Sequence, residues 1–388
     1  MADSRRIGLD EVLAYFQELE DPRSSINLRH PLASVVVVAL IAVLAGASGP
    51  TAIARWAALK EDLLVAVLPL PHGAPGKDVF RRVLMALRPE AFQACFAAWL
   101  RALRDEAMAA TGVERPTLAV DGKTLRRSHD RKDGLGALHA VSVWASEYGL
   151  SLGQVACDAK SNEITAIPEL LKLVDVSGSI VTIDAMGCQK EIAGAIVAAK
   201  GDYVLALKEN QGALHQAVVD HVLERWDDDF AGEEVGRHQG EETGHGRRES
   251  RTCLQLEAPG DLPGFGSWRG LRSIGVVISE SVRDGEPADE VRYFISSLPV
   301  EPGAKAFARA ARSHWGIENG CHWTLDVTYR EDESRIREKH LRENMAWLNR
   351  FSLSLLRQHP GRESVAMKRR SCGWSDDYLM QVVRGSTC

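Results

Sequence analysis

The sequence predicts an α/β protein with a helical leading segment, and three observations carry that reading. Residues 1 to about 113 hold only helix-type patterns, and after Arg115-Pro116 the pattern changes to short apolar runs of β type. Those runs come three in succession and then alternate with helices. Two of them end in aspartate: Asp121 in Leu118-Ala-Val-Asp-Gly-Lys123 and Asp184 in Ile180-Val-Thr-Ile-Asp-Ala-Met186.

Taken in order, Leu9 to Leu19 is a short amphipathic helix, and Leu32 to Ala47 is a nearly unbroken apolar one. The latter falls short of the roughly 20 apolar residues needed to span a bilayer, so it is expected to be a buried core helix, with a membrane segment as the alternative. Thr51 caps a third helix through Trp56 and Leu64, and Lys77 to Leu103 gives one or two more. Breaks at Pro69-Leu-Pro71 and Gly73-Ala-Pro-Gly76 separate the two halves of this bundle. Arg81, Arg82, Arg88 and Arg101 in the second half suit either a solvated face or a DNA groove.

Thr117 to Val120, Ala137 to Ala145 and Leu150 to Cys157 form a meander, the last two joined as a hairpin across Ser146-Glu-Tyr-Gly149. A helix over Glu163 to Leu173, a strand over Ser179 to Ile183, a helix over Lys190 to Ala199 and a strand over Tyr203 to Leu207 follow. From about 223 to 300 a polar, Gly-rich stretch leads into strands at Ser250 to Leu256, Leu271 to Ser279 and Val291 to Ser296, a β-rich insertion. Alternation there puts His245, Arg247, Glu249 and Arg251 on one face, suited to phosphate oxygens or simply to solvent. Residues 361–388 carry Lys368-Arg-Arg370 and few apolar residues and read as a C-terminal surface tail.

A net charge of −6 argues against a uniformly basic coat, although basic grooves around an acidic centre remain compatible with it. Seven cysteines without a CxxC pair speak against a disulfide framework or a zinc ribbon and favour a reduced cytoplasmic setting. No apolar leader follows Met1-Ala-Asp-Ser-Arg-Arg6.

Asp121 and Asp184 each end a run rich in β-branched residues closed by Gly122 or Gly187, so both strands deliver a carboxylate to one edge of a sheet. Each Asp alone would serve as a turn cap. Two carboxylates side by side repel, and a divalent cation is their natural neutraliser. A third acid comes from Ala311-Arg-Ser-His-Trp-Gly-Ile-Glu-Asn-Gly-Cys-His-Trp-Thr-Leu-Asp326, in which His314, Glu318 and His322 recur every four residues along one helical stripe. Asp326, Glu331 and Asp332 follow closely and are alternatives to Glu318.

With these pieces in place the chain resembles bacterial insertion-sequence transposases of the DDE class, in the ISAs-type group that includes H-repeat-associated proteins. The resemblance rests on Asp21-Pro-Arg23 with Arg29-His-Pro-Leu32, Val120-Asp-Gly-Lys-Thr124, Lys160-Ser-Asn-Glu-Ile164, Thr182-Ile-Asp-Ala-Met-Gly-Cys-Gln-Lys190, Leu207-Lys-Glu-Asn-Gln211, His245-Gly-Arg-Arg-Glu249 and His314-Trp-Gly-Ile-Glu-Asn319. It implies an RNase H-like catalytic domain over 114–360, interrupted by the insertion, and an all-helical N-terminal domain over 1–113 that recognises element ends. In that topology the first and fourth strands are neighbours, which brings Asp121 beside Asp184. It further implies cleavage and strand transfer on double-stranded DNA, with homodimeric synapsis and a place at the bacterial nucleoid. Asp121, Asp184 and Glu318 would be both catalytic and metal ligands for two Mg²⁺ or Mn²⁺ ions, Asp121 bridging them. Two such ions about 3.5 to 4 Å apart generate the nucleophile and steady both oxygens of an in-line displacement. The alternatives are an element-encoded protein that binds ends without cutting, and a nuclease without strand transfer.

Lys123, Lys160, Lys208, His245, Arg247, Arg312 and His314 are the expected DNA contacts. Here the chain departs from the wider class, whose signature has an arginine four residues before the glutamate and a lysine seven after it. This chain has His314 and Leu325 instead. Two other motifs are set aside: Gly122-Lys-Thr124 lacks the first glycine of a nucleotide-binding loop, since Thr117 stands there, and the His314, Glu318, His322 set lacks partner ligands for a zinc or iron site. Trp315 and Trp323 read as core residues rather than stacking platforms.

Overall fold

Seven helices precede the first strand among the described residues: α1 (Leu9–Ala14), α2 (Leu32–Leu44), α3 (Pro50–Leu59), α4 (Glu61–Val67), α5 (Lys77–Ala86), α6 (Pro89–Ala94) and α7 (Ala97–Thr111). The structure, a computed structural model, describes residues 9–24, 28–130, 134–157, 163–244, 247–283, 286–301 and 304–384. Proline opens α3 and α6, where its missing N–H costs no helical hydrogen bond, and left-handed Gly112 ends α7. Every residue of α2 except Ala33 is buried. It needs no polar face because α1, α3, α5, α13 (Lys339–Gln358), α14 (Val365–Trp374) and α15 (Asp376–Arg384) all contact it. Among the described residues no helix is long and apolar enough to cross a membrane.

The strands are β1 (Thr117–Leu125), β2 (Leu138–Ala145), β3 (Leu150–Cys157), β4 (Ile180–Ile183), β5 (Asp202–Leu207), β6 (Val235–Gly244), β7 (Arg247–Glu257), β8 (Ser273–Arg283) and β9 (Glu286–Ser296). They form one mixed sheet in the order β3-β2-β1-β4-β5-β9-β8-β7-β6. β1, β4 and β5 are parallel, β2 and β3 are antiparallel additions on one side, helix α8 (Glu163–Leu173) leads from β3 to β4 and helix α9 (Lys190–Ala198) from β4 to β5. The insertion does not stand apart. β9 pairs with the free edge of β5, from Val204↔Ser296 to Leu207↔Tyr293, so the four inserted strands widen the same sheet.

Three features differ from expectation. β1 does not stop before Asp121 but runs on to Leu125, because β2 continues to pair with it through Leu125↔Leu138 after β4 has ended. Helix α10 (Gly212–Trp226) and strand β6 stand where no element is expected, although α10 buries Leu214, Val218 and Val222 at helical spacing. The last residues are no loose tail: α14 and α15 bury Cys372, Leu379, Met380, Val382 and Val383 against α2 and α13.

Helix α13 is the shared strut. Its Phe351 ring meets Phe96 at 4.5 Å and Trp99 at 4.8 Å in the leading helices, while its other face lies on β3. A single cluster of buried side chains therefore runs from Val12 to Val383. Before α13 come α11 (Ala304–Ser313), a π-helical turn over Ile317–His322 and α12 (Trp323–Val327).

Candidate active site

Parallel pairing of β1 with β4 ends at Val120↔Ile183, and the next residue on each chain is an aspartate, Asp121 and Asp184. Neighbouring strands lie about 4.8 Å apart, so the two carboxylates leave the sheet at the same level, side by side. Val120 and Ile183 are buried, whereas both aspartates are partly open. The step from apolar to acidic is thus the step from core to edge.

Each aspartate is fixed by a glycine that follows it. A Cβ on Gly122 would stand 2.5 Å from Glu163 Oε1 and 2.6 Å from His139 Nε2, and one on Gly187 would stand 2.2 Å from Ile183 Cγ2. Under Gly122 the buried pair His139 Nε2–Glu163 Oε1 is 2.6 Å long, and His139 Nδ1 meets Thr124 Oγ1 at 2.7 Å. Behind Asp184 the turn is closed by Gly187 N–H donating to Asp184 Oδ1 at 3.2 Å. Asn210 donates to the Ala185 carbonyl and Gln211 to that of Cys188, so the Leu207-Lys-Glu-Asn-Gln211 motif ties the Asp184 loop to the end of β5. Sequence reading marks this motif without finding its role, because that role depends on which loop lies beside it.

The third acid arrives differently from expectation. The stretch from Ala311 to Asp326 is not one α-helix: α11 ends at Ser313, and Glu318 and His322 sit in the π-helical turn. Gly316 and Gly320 weaken the α-helix here, and π-helical turns concentrate at functional sites. The wider turn breaks the stripe. His314 Nδ1 is 3.2 Å from Thr182 Oγ1 on β4, and His322 Nδ1 is 3.3 Å from Asp121 Oδ2.

The charges respond to one another. Burial opposes ionisation of Asp121, but hydrogen bonding and attraction from His322, with the Gly122 N–H and His314, hold its carboxyl below the usual value. Burial pushes Glu318 up, and the negative charges of Asp121 and Asp184 push it further, against the pull of His322 and Arg292. Burial likewise drives His314 below an ordinary imidazole despite the two aspartates. It is therefore neutral near pH 7 and does not replace the permanent charge of an arginine. Arg292, which sequence reading does not single out, stacks over the Trp315 ring at 4.6 Å and pairs with Glu290 at 2.6 Å.

The alternative acids are already committed. Lys123, with a side chain only 7% exposed, lies 2.6 Å from Asp326 Oδ1 and 3.5 Å from Asp332 Oδ1, and Arg126 adds a contact to Asp332. Glu331 is buried with Arg350 at 3.2 Å. Glu318 is exposed and has no cation partner of its own within salt-bridge distance among the described residues.

Among the expected DNA contacts, Lys123 is thus turned inward to a structural pair. Arg312 is gripped by both oxygens of Glu242, at 3.2 and 2.9 Å, and these bonds push the Glu242 carboxyl down to about 2. Arg251 lies between Glu249 and Glu242, at 2.6 and 3.1 Å. Lys208 is exposed just past β5, on the same edge as Asp184, with no ion-pair partner among the described residues. Arg247 opens β7; Lys160 and His245 lie outside the described residues.

Hard oxygen donors without a thiolate are the set that suits Mg²⁺ or Mn²⁺, and Glu318 is raised first by burial and then by Asp121 and Asp184. The spacing is not that of a closed coordination sphere: among the described residues no group of three or more His, Cys, Asp and Glu side chains is gathered to hold an ion. Two adjacent aspartates and an unengaged glutamate therefore fit such an ion by chemistry, with Glu318 the side chain that has freedom to complete it.

Comparison with known proteins places the chain in a family. Residues 113–355 match the transposase DDE domain family, and residues 13–100 match the segment associated with it. The "H repeat-associated putative transposase YhhI" of Escherichia coli (strain K12) is 33% identical over 389 residues, covering 97% of this chain and 99% of that protein. The "Putative transposase YncI" of Escherichia coli O157:H7 is 35% identical over 382 residues, covering 97% and 95%. A cryo-EM structure of the piggyBac transposase synaptic complex with hairpin DNA aligns over 98% of this chain and 79% of its own, at 11% identity and a TM-score of 0.37, too remote to add to the argument. With the family model spanning the sheet and the helices that carry all three acids, the chain belongs to the transposase DDE domain family.

Proposed function

We propose that the chain catalyses metal-dependent DNA cleavage and strand transfer at the ends of an insertion sequence, with Asp121, Asp184 and Glu318 as catalytic residues and metal ligands. The observation that carries this reading is the register Val120↔Ile183, which sets Asp121 and Asp184 at one level of adjacent parallel strands. The strand order β3-β2-β1-β4-β5 with β2 antiparallel supports an RNase H-like core, widened by β6–β9 and preceded in the chain by the helices α1–α7, which share its buried cluster. Double-stranded DNA at the element ends and at the target is the substrate, and two copies of the chain pair the ends.

The residues divide the work. Asp121 and Asp184 offer fixed oxygens at the sheet edge, and Glu318 supplies the third from the π-helical turn. A bound pair of Mg²⁺ ions would activate water or a 3′-hydroxyl and stabilise charge on the entering and leaving oxygens. His322 keeps Asp121 ionised, His314 anchors the α11 end to Thr182, and the Lys123 pair holds the segment after α12 against β1. Lys208, exposed just past β5 on the Asp184 edge, is the one of the expected contacts among the described residues that stands open to meet a phosphate there.

The test combines a labelled element end, Mg²⁺ and a target plasmid. Joined product supports the full reading; cutting without joining reduces it to a nuclease; binding without either makes the chain an end-binding protein.

A further inference from the structure

We propose that the cleft between the α1–α2 connection and the α4–α5 connection binds phosphate groups of a nucleic-acid backbone, with Arg29 and Arg82 supplying charge and His30 a buried hydrogen-bonding group. The proposal rests on the reading of DNA as substrate and gives a role to the Asp21-Pro-Arg23 and Arg29-His-Pro-Leu32 motifs, which the catalytic edge does not use.

The cleft has a volume of about 970 Å³, and Arg23, Arg29, His30, His72 and Arg82 line it without a single Asp or Glu. In a chain with 53 acids to 47 bases, such a lining runs against the composition. Arg23 is the structural member: Asp21 holds its guanidinium at 2.8 and 2.6 Å, and it donates to the His30 carbonyl at 2.9 Å. Arg29 and Arg82 are exposed and have no ion-pair partner among the described residues. Solvated surface arginines are common, but these two share a concave site with a third feature.

That feature is His30. The residue is 8% exposed, yet its Nδ1 has no hydrogen-bond partner among the described residues, and its ring meets His72 edge to face at 6.2 Å. Burial, with His72, Arg23 and Arg29 beside it, holds the imidazole below its ordinary value, so near pH 7 it is neutral and can donate a hydrogen bond. A buried polar nitrogen left without a partner is costly, and an anion oxygen in the cleft would satisfy it. Gly76 and Val79, at the start of the ten-residue helix α5, also line the cleft. Asp78 lies in the first turn of α5 but does not line the cleft.

The test is fluorescence anisotropy of the full chain with a labelled duplex over a salt series. Each phosphate contact contributes about 0.9 to the slope of log affinity against log salt, so Arg29→Ala/Arg82→Ala is expected to lower the slope by about 1.8. Arg269→Ala, on an exposed loop residue away from the cleft, is expected to leave it unchanged. Arg82→Glu, at an exposed position on α5, is a second variant should the double substitution melt early. A duplex that the unaltered chain does not bind refutes the DNA reading itself. Binding with an unchanged slope in both cleft variants overturns this inference alone. Should inorganic phosphate then raise the melting temperature of the unaltered chain and not of the double variant, the cleft takes free phosphate instead.

Discussion

The two sides of the candidate active site are built on opposite principles. Asp121 and Asp184 stand on paired strands, and their positions follow from a ladder of backbone hydrogen bonds and from glycines that admit no side chain. Glu318 stands on a π-helical turn between two short helices, without a cation partner of its own among the described residues, its charge disfavoured by burial and by the two aspartates. One side is fixed before anything binds; the other keeps an adjustable donor. Under the proposed metal-binding role, the difference means that two donors are placed by the sheet and the third is left to adjust.

Substitutions on the two sides should therefore behave differently. Asp121→Asn or Asp184→Asn is expected to reduce cleavage of a labelled element end by about 1,000-fold or more, several kcal/mol of transition-state stabilisation, while leaving duplex binding nearly intact. Cleavage retained in either variant breaks the assignment of the strand side.

Next in size comes the anchor of the Glu318 side. Glu331→Ala leaves Arg350, which has no exposed surface, without its carboxylate, and the chain is expected to lose about 3 to 5 kcal/mol in urea denaturation. A loss below about 1 kcal/mol would show that this pair does not hold the segment after α12. Gly122→Ala drives a methyl into the His139–Glu163 pair and is expected to cost about 1 to 3 kcal/mol, with cleavage falling as β1 shifts.

The smallest effect has the most telling sign. Because Glu318 is held above the ordinary carboxyl value, it favours the folded state when protonated, and that contribution fades as pH rises past the unfolded value. Glu318→Gln is therefore expected to raise the melting temperature slightly near pH 7 without divalent ions, and the gain should vanish below the ordinary value near 4.5, even as cleavage is lost. A lower melting temperature at neutral pH would mean that Glu318 is paired and not strained.

The strand side is legible in the sequence and the helix side only partly so. β-branched runs ending in Asp-Gly or Asp-Ala announce a strand and its edge, and α2 announces burial through its lack of polar residues. The π-helical turn is not legible, because every-fourth spacing of His314, Glu318 and His322 suits an α-helix, and only packing decides where the two glycines let it widen. Lys123 reads as a phosphate contact because its inward partners, Asp326 and Asp332, lie far away in sequence. β6 escapes sequence reading because Val235–Gly244 carries three glycines and few apolar residues; its strand is made by pairing with β7. In α14, the basic run Lys368-Arg-Arg370 suggests solvent, yet Lys368 donates to the His359 and Leu356 carbonyls at the end of α13, and Arg369 stacks on Tyr329 at 4.1 Å. Such charges serve helix ends, a use that local sequence does not reveal.

The central claim, that the strand aspartates hold the ion and Glu318 completes the site, is tested most directly by titrating Mn²⁺ into the DNA-free protein and following free Mn²⁺ by electron paramagnetic resonance. The account predicts binding by the unaltered chain, none by Asp121→Asn/Asp184→Asn and weakened binding by Glu318→Gln. Equal binding by the double aspartate variant and the unaltered chain would contradict it.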